Sequence, residues 1–410
     1  MMDDAEVENV LKVARARSPF RYYGEDMQYF ALQLEEAFMK RLDRKYALAV
    51  NSGTGALSVA VNALGIGPGD EVLIPGFLYV ACIGAIIRAG AIPRLVEVDE
   101  SMCMDPDDLE RKITPHSKAV MIIQMAGTTG RLDELLAVAR KHNLLVLEDV
   151  AQAAGASYRG KPLGSFGDIS IFSFQLNKNI TCGEGGLVTC DDYVLSQRAY
   201  AAHDHGYPRD KNGKVYSYIE HEEAMQTFWG EGRRMSELCA AMMVAQEQKL
   251  DGIVGRMRRA SQRLYDGLQE VAGAQIRARV DPSGDSGNNV ILIWPTAEIC
   301  REMVEATRAE GVRDRYFGGG NNILNQWHVH VYYGNRNLVE RRPINHTGRP
   351  WSDPFNAFAQ DYSYDRGTLP RTDALFDRSS SLGVSPAMDD ALCDRIIEIF
   401  HQSARRLGLA

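Results

Sequence analysis

The stretch SFQLNKNITCGEGG, residues 173–186, decides how the rest of the chain is read. A short apolar run, Ile171 to Phe174, reads as a strand that delivers Lys178 into a loop between Asn177 and Asn179. After four intervening residues comes a Gly-Glu-Gly-Gly turn, where missing Cβ atoms let backbone and ligand approach closely. A lysine in that setting is a compact amine whose proton affinity shifts readily on burial, so the question is what the amine serves.

Working outward from it, from Tyr46 onward, short strand-like runs alternate with helical patterns. The runs are EVLIP (71–75), PRLVEV (strand 94–98 behind Pro93), KAVMII (118–123), LLVLED (144–149), DISIFSF (168–174) and GLVTC (186–190). Between them lie helical stretches such as ALSVAVNALG, YVACIGAIIRAG and RLDELLAVARKHN, two of which close at Gly65 and Gly90, where a left-handed cap residue is needed. The alternation predicts an α/β fold with a mostly parallel sheet. Residues 203–232 are polar, aromatic and glycine-rich and read as a long surface loop. A long helix is expected over about 236–270. Beyond it the strand NNVILIW and the helices AEICREMVEATRAEG and AMDDALCDRIIEIFHQSARRLG suggest a smaller α+β domain. The division expected is a large domain with its N-terminal segment over 1–250 and a small C-terminal domain over 251–410. Residues 317–368, rich in Gly, Asn, His, Trp and Tyr, carry no periodic signal.

With 410 residues and 45% apolar content, the chain can bury one large core and a second, smaller one. Its net charge of -8 offers no basic field for a phosphate backbone, and the arginines between 256 and 263 are interleaved with apolar residues at helical spacing. Nucleic-acid binding is not expected. The seven cysteines (82, 103, 182, 190, 239, 300 and 393) show neither CxxC nor Cys/His ligand spacing, so no disulfide framework or zinc site is expected and a reducing cytoplasm fits. The first residues, MMDDAEVENVLKVARARS, are acidic and amphipathic rather than basic then apolar, and no stretch has the length of a membrane span.

Three further patterns carry chemistry. NSGTGAL, residues 51–57, places small residues at a helix start, where free backbone N–H groups at Gly53 and Thr54 and the Thr54 hydroxyl suit a phosphate. A plain serine-capped helix start explains the same residues, and only their company decides. LVLEDVAQA ends a buried strand with Glu148 and Asp149 at the carboxyl edge where open α/β sheets bind ligands. Tyr79 begins a helix and offers an aromatic face. A phosphate-type helix start, then an acid at a strand end, then Ser173 and Lys178 at the end of the next strand form an ordered set. It matches the needs of pyridoxal phosphate: an amine for the imine, a carboxylate for the pyridine nitrogen, a ring face and phosphate donors.

Those motifs, with DEVLIPGFLYVAC, LEDVAQAAGASYRGKPLGSFGDISIFSF, NKNITCGEGGLV and RMSELCAA, resemble the DegT/DnrJ/StrS family of pyridoxal phosphate-dependent sugar aminotransferases from Ser18 to Leu407. The resemblance implies the aspartate aminotransferase-like fold type I. It makes Lys178 the Schiff-base lysine and Asp149 the partner of the pyridine nitrogen, and sets Gln152 by the cofactor's phenolic oxygen. It also places Gly53, Thr54 and Ser173 at phosphate-binding positions and Tyr79 as the stacking aromatic. It further implies a homodimer with the cofactor at the subunit interface, and transfer of an amino group from L-glutamate or L-glutamine to a keto-sugar, keto-cyclitol or sugar-acid carbonyl. SGDSGNNVILIWPT, FGGGNNILNQWH and SLGVSPAM are most similar to the branch that aminates octulosonate-type sugars.

The chain departs from the family at Gly232 and Arg233, where an Asn and an aromatic usually precede the RMSE-type motif. Arg233 is a candidate for a charge-assisted bond to phosphate or to an acidic substrate. His205, in the HDHGY loop, is a candidate substrate contact. His328, Trp327 and His330 have no motif support, and no metal site is expected among them. The dehydratase branch of the family carries histidine in place of the lysine, so Lys178 speaks against it. A cofactor-binding regulator is the rival from another class.

Overall fold

The computed structural model describes residues 2–209, 228–313 and 320–409. The chain opens with helices α1 (Asp4–Ala16) and α2 (Phe30–Leu42), then β1 (Tyr46–Val50) and α3 (Gly53–Ala63). There follow β2 (Glu71–Pro75), α4 (Val80–Ala89), β3 (Ile92–Val96), α5 (Pro106–Lys112), β4 (Ser117–Ile123), α6 (Leu132–Lys141) and β5 (Leu145–Asp149). A small hairpin of β6 (Ser157–Tyr158) and β7 (Lys161–Pro162) precedes β8 (Ile169–Ser173), β9 (Gly186–Cys190) and α7 (Tyr193–His203). The strand expected over 94–98 starts and stops earlier, as β3, because the Glu97 N–H leaves the ladder to donate to Asp108 Oδ2 at 2.9 Å.

Seven strands form one sheet in the order β1-β9-β8-β5-β4-β2-β3. Strand β9 runs antiparallel to β1 and β8, and the remaining pairs are parallel. Successive residues point to opposite faces, so Ala47, Ala49, Val120, Ile122 and Phe172 pack under one helical layer while Leu48, Val50, Ala119, Met121 and Ile171 pack under the other. Burial on both faces is why these strands read as continuous apolar runs. Six strands therefore end, and β9 begins, along one edge: Val50 and Ser173 are both paired with Gly186.

Helix α8 (Glu237–Leu268) is 32 residues long, capped by Ser236, whose hydroxyl accepts from the Cys239 N–H. It lies against α1 through Lys249 and Glu6 (2.7 Å) and against α2 through Arg41 and Glu247 (2.7 Å). The chain continues through β10 (Gln275–Ile276), β11 (Asn289–Ile293), α9 (Ala297–Ala309), β12 (Asn321–Ile323), α10 (Arg336–Val339), α11 (Pro370–Asp377), β13 (Ser379–Gly383) and α12 (Asp390–Arg406). A second, antiparallel sheet has the order β10-β11-β13-β12, and α12 packs on α8 through Arg263 and Asp394 at 2.6 Å.

The long loop expected at 203–232 falls partly outside the described residues, as does the start of the 317–368 segment. From residue 320 onward that segment holds short turns that only tertiary contacts maintain. Tyr364 Oη donates to the Pro93 carbonyl (2.8 Å) and Asn356 Nδ2 to the Gly90 carbonyl (2.9 Å). No described helix is long and apolar enough to cross a membrane, and no described cluster of His, Cys, Asp or Glu has a metal-holding arrangement.

The start of α2 has no cap of its own, because Tyr29 at its N-cap makes no side-chain hydrogen bond there. Glu237 from α8 replaces it, accepting from Phe30 N at 2.6 Å and Ala31 N at 3.0 Å while fully buried. Removing that carboxylate orphans two buried donors. Glu237→Ala is expected to lower unfolding free energy by about 1–3 kcal/mol in a urea titration, whereas Glu36→Ala, whose glutamate is exposed on α2, should change it by less than about 0.5 kcal/mol.

Candidate active site

The edge where the strands end is built around the start of α3. Ser52 caps the helix in the ordinary way, its Oγ accepting from Gly55 N at 2.9 Å, and Thr54 is exposed beside it. A Cβ on Gly53 would lie 2.6 Å from both Cβ and Oγ of Ser173 at the end of β8. A Cβ on Gly186 would collide with the Ser52 carbonyl. Glycine at these two positions is what lets a helix N-terminus and two strand ends converge, bringing Gly53, Thr54 and Ser173 together. The serine cap and the phosphate-type arrangement coexist in one turn.

Next along the edge, β5 ends with two acids that point opposite ways. Glu148 is fully buried and spent on structure, accepting from the N–H groups of Gly164 (2.7 Å), Phe166 (3.0 Å) and Gly167 (3.2 Å). Asp149, 3% exposed, accepts among the described residues only from Ala151 N (2.9 Å) and from the Cys82 thiol on α4 (3.2 Å). Burial pushes the Asp149 carboxyl above the usual range, opposed by those two donors and by the charge of Lys178. Burial holds the Lys178 amine below its ordinary value, opposed by Asp149 and Cys82. Cys82, whose thiol is pushed well up by burial and by Asp149, was not singled out from sequence. Only its contact with Asp149 reveals it.

The two asparagines around Lys178 do different work. Asn179 Nδ2 donates to the Ala154 carbonyl at 2.8 Å, and its Oδ1 faces Asn288 Nδ2 at 3.4 Å, while Asn177 is exposed. Asn288, from β11's approach, also donates to the Gln152 carbonyl at 2.7 Å, so the second sheet grips both the lysine loop and the turn after Asp149. Gln152 Oε1 accepts from Ala126 N at 3.0 Å, and its amide nitrogen has no partner among the described residues.

Tyr79 is the N-cap residue of α4 and stays 43% exposed, with Lys178 Nζ 5.9 Å from its ring centroid. His330, set aside on sequence grounds, has its ring 5.2 Å from that of Tyr79. Arg233 lies beside the α3 start: its carbonyl accepts from Asn51 N at 2.7 Å, and its Nε is buried without a partner among the described residues. Its Nη2 pairs with Glu231. His205 is exposed, with its Nε2 3.4 Å from Asp204 and 3.3 Å from Arg234.

These residues fit a phosphate-bearing pyridine cofactor. A buried carboxylate with two weak partners suits a cationic ring nitrogen, and a glycine-floored helix start beside a hydroxyl suits a phosphate.

Comparison with known proteins agrees. The chain matches the profile of the DegT/DnrJ/EryC1/StrS aminotransferase family over residues 2–349. It is 41% identical over 223 residues to the GDP-perosamine synthase of Caulobacter vibrioides, covering 54% of this chain and 57% of that one, and so spans little more than half that relative's length. It is 30% identical over 376 residues to the spore coat polysaccharide biosynthesis protein SpsC of Bacillus subtilis, covering 89% and 87%. It is 35% identical over 266 residues to the L-glutamine:scyllo-inosose aminotransferase of Streptomyces griseus, covering 65% and 62%. Among solved structures, 3-amino-5-hydroxybenzoic acid synthase superposes with a TM-score of 0.79 at 24% identity, covering 99% of this chain and 97% of that one. The protein Spr1654 of Streptococcus pneumoniae, in its pyridoxal phosphate form, does so at 0.77 and 21%, covering 99% and 97%. The chain belongs to the DegT/DnrJ/EryC1/StrS aminotransferase family, and the fold type I architecture that its motifs imply is borne out.

The close approach at Gly53 is testable. Gly53→Ala is expected to cost about 1–3 kcal/mol of stability from overpacking, read by thermal or urea unfolding, and to loosen the helix start as an anion site. Thr54→Ala, at an exposed position, should cost less than about 0.5 kcal/mol.

Proposed function

We propose that the chain is a pyridoxal phosphate-dependent aminotransferase that takes an amino group from L-glutamate or L-glutamine and delivers it to the carbonyl of a sugar, cyclitol or sugar acid. The observation that carries this reading is the buried Asp149 beside an amine of lowered proton affinity at the sheet's carboxyl edge. Bound there, pyridoxal phosphate supplies the electron sink for the exchange and carries the amino group between donor and acceptor.

The chain's own residues divide the rest of the work. Asp149 keeps the ring-nitrogen proton in place, because that cation offsets the cost of burying the carboxylate. Lys178 anchors the cofactor and, once displaced, is the base that moves a proton at the reacting carbon. Its lowered pKa leaves more of the amine unprotonated at neutral pH than in a free lysine. Tyr79 covers one ring face, and the free amide of Gln152 donates to the phenolic oxygen. Gly53 and Thr54 N–H groups and the Ser173 hydroxyl hold the phosphate, with Arg233 adding the charge that the neutral asparagine of other members lacks. His205 belongs to the substrate entrance. Donor and acceptor use one site in turn, which gives ping-pong kinetics.

The same reading includes a cytoplasmic homodimer and a division near residue 250 into a large cofactor domain and a small one. That point lies inside α8, so one helix serves both parts. The dehydratase alternative is disfavoured by Lys178 itself, and a regulator without turnover has no need of the lysine, aspartate and glutamine together.

Lys178→Ala is expected to abolish the visible absorbance of the bound cofactor and to slow both half-reactions by about 10²–10⁴-fold. Asp149→Asn should keep the cofactor but slow the donor half-reaction by about 10²–10³-fold, read by stopped-flow absorbance with L-glutamate and L-glutamine. A wild-type protein whose visible band no amine bleaches would turn the assignment toward a regulator. For Arg233→Ala, equilibrium dialysis should show cofactor affinity reduced about 10- to 100-fold, and unchanged affinity would remove Arg233 from the phosphate site.

A further inference from the structure

His330 is the side chain near Lys178 that the aminotransferase reading leaves without a task. It ends the helical turn 328–330, and its carbonyl accepts from Leu78 N at 3.0 Å. The next residue, Val331, forms an antiparallel bridge with Phe77, and Tyr332 N donates to the Gly76 carbonyl at 3.2 Å. Backbone bonds thus tie this turn to the segment that presents Tyr79, so the imidazole is held rather than merely nearby.

Its ring lies 5.2 Å from Tyr79 at 46°, and Trp327 backs it at 5.4 Å. Neither ring nitrogen, nor the Tyr79 hydroxyl, has a hydrogen-bond partner among the described residues. By contrast His328, two residues earlier, is exposed. Burial, helped by the Lys178 charge, pulls the His330 imidazole down to about 4, so the ring is neutral in the working pH range. A neutral imidazole offers one donor and one acceptor nitrogen, whereas the protonated ring offers donors alone. That pairing suits a hydroxyl, which both gives and takes a proton in hydrogen bonds, better than a carboxylate or phosphate, which only accepts.

We propose that His330 is a specificity-determining residue of the acceptor site, hydrogen-bonding a hydroxyl next to the keto group of a polyhydroxylated acceptor. This rests on the aminotransferase reading and deepens it. A site with a hydrogen-bonding group placed for a substrate hydroxyl discriminates strongly against an analogue that lacks it, because the group is then left unpaired.

The test uses the holoenzyme converted to its pyridoxamine form with L-glutamine, then mixed with scyllo-inosose or with cyclohexanone, a cyclic ketone without hydroxyls. The wild-type protein is expected to return to the pyridoxal form faster with scyllo-inosose. In His330→Ala the ratio of the two second-order rates should fall about tenfold, and His330→Gln, which keeps a donor and an acceptor, should recover most of it. Calorimetric titration of the holoenzyme with scyllo-inositol, which cannot react, should show affinity weakened by a similar factor in His330→Ala. Proportional losses on both ketones, or a wild-type protein that does not distinguish them, overturn the proposal. Failure of any amine to convert the wild-type cofactor would instead overturn the aminotransferase reading, which separates the two.

Discussion

The molecule turns on a carboxylate buried at the end of the sheet's middle strand. Asp149 has one backbone donor and one thiol, too few partners for a charge taken out of water, and the nearby Lys178 amine is itself held low by burial. Neither group is at ease with the other alone. A bound cation facing the acid would relieve one, and covalent capture of the amine would relieve the other. Glu148, its neighbour in sequence, shows the contrast: equally buried, it is satisfied by three backbone N–H groups and has nothing left to give.

The edge strand β1 has to be protected for that site to hold its shape. Arg21 Nη1 donates to the Ala49 carbonyl at 2.8 Å and Glu35 Oε1 accepts from the Ala49 N–H at 2.6 Å, while Arg21 and Glu35 pair with each other at 2.5 Å. Side chains from the N-terminal segment thus occupy ladder positions that another chain would otherwise seek. Since β1 leads directly into Asn51, Ser52 and α3, this cover also steadies the helix start. The same region receives Glu237 as a borrowed cap for α2, so α2, β1 and α8 brace one another beside the α3 start, with α1 packed on α8.

Much of this was legible in the chain. The strands at 71–75 and 186–190 form with the bounds read from their apolar runs, because burial on both faces imposes continuous hydrophobicity. The α8 start was visible in Ser236, and the closing helix in its apolar periodicity. Gly53, Asp149 and Ser173 do meet along one sheet edge, but in a different order from the chain, because β8 with Ser173 lies between β1 and β5. By contrast, the turns at 320–368 are too short to carry a period and exist through contacts with Glu71, Gly90 and Pro93. The contacts of His205 with buried Asp204 and with Arg234 were likewise not readable from its loop.

By itself the sequence determined the alternation of elements, the helix starts and the residues that strand ends deliver to one edge, since these depend on local propensity and on the two- and 3.6-residue periods. It also determined family membership, through motifs whose spacing follows from the same local geometry. Only the tertiary structure decided that Cys82 serves Asp149, that Asn288 holds the lysine loop, that Arg233 flanks the helix start and that His330 faces Tyr79. Those partners lie from 67 to more than 100 residues apart in the chain. No local pattern encodes such meetings, because they follow from the order in which strands join the sheet and from where the second sheet docks.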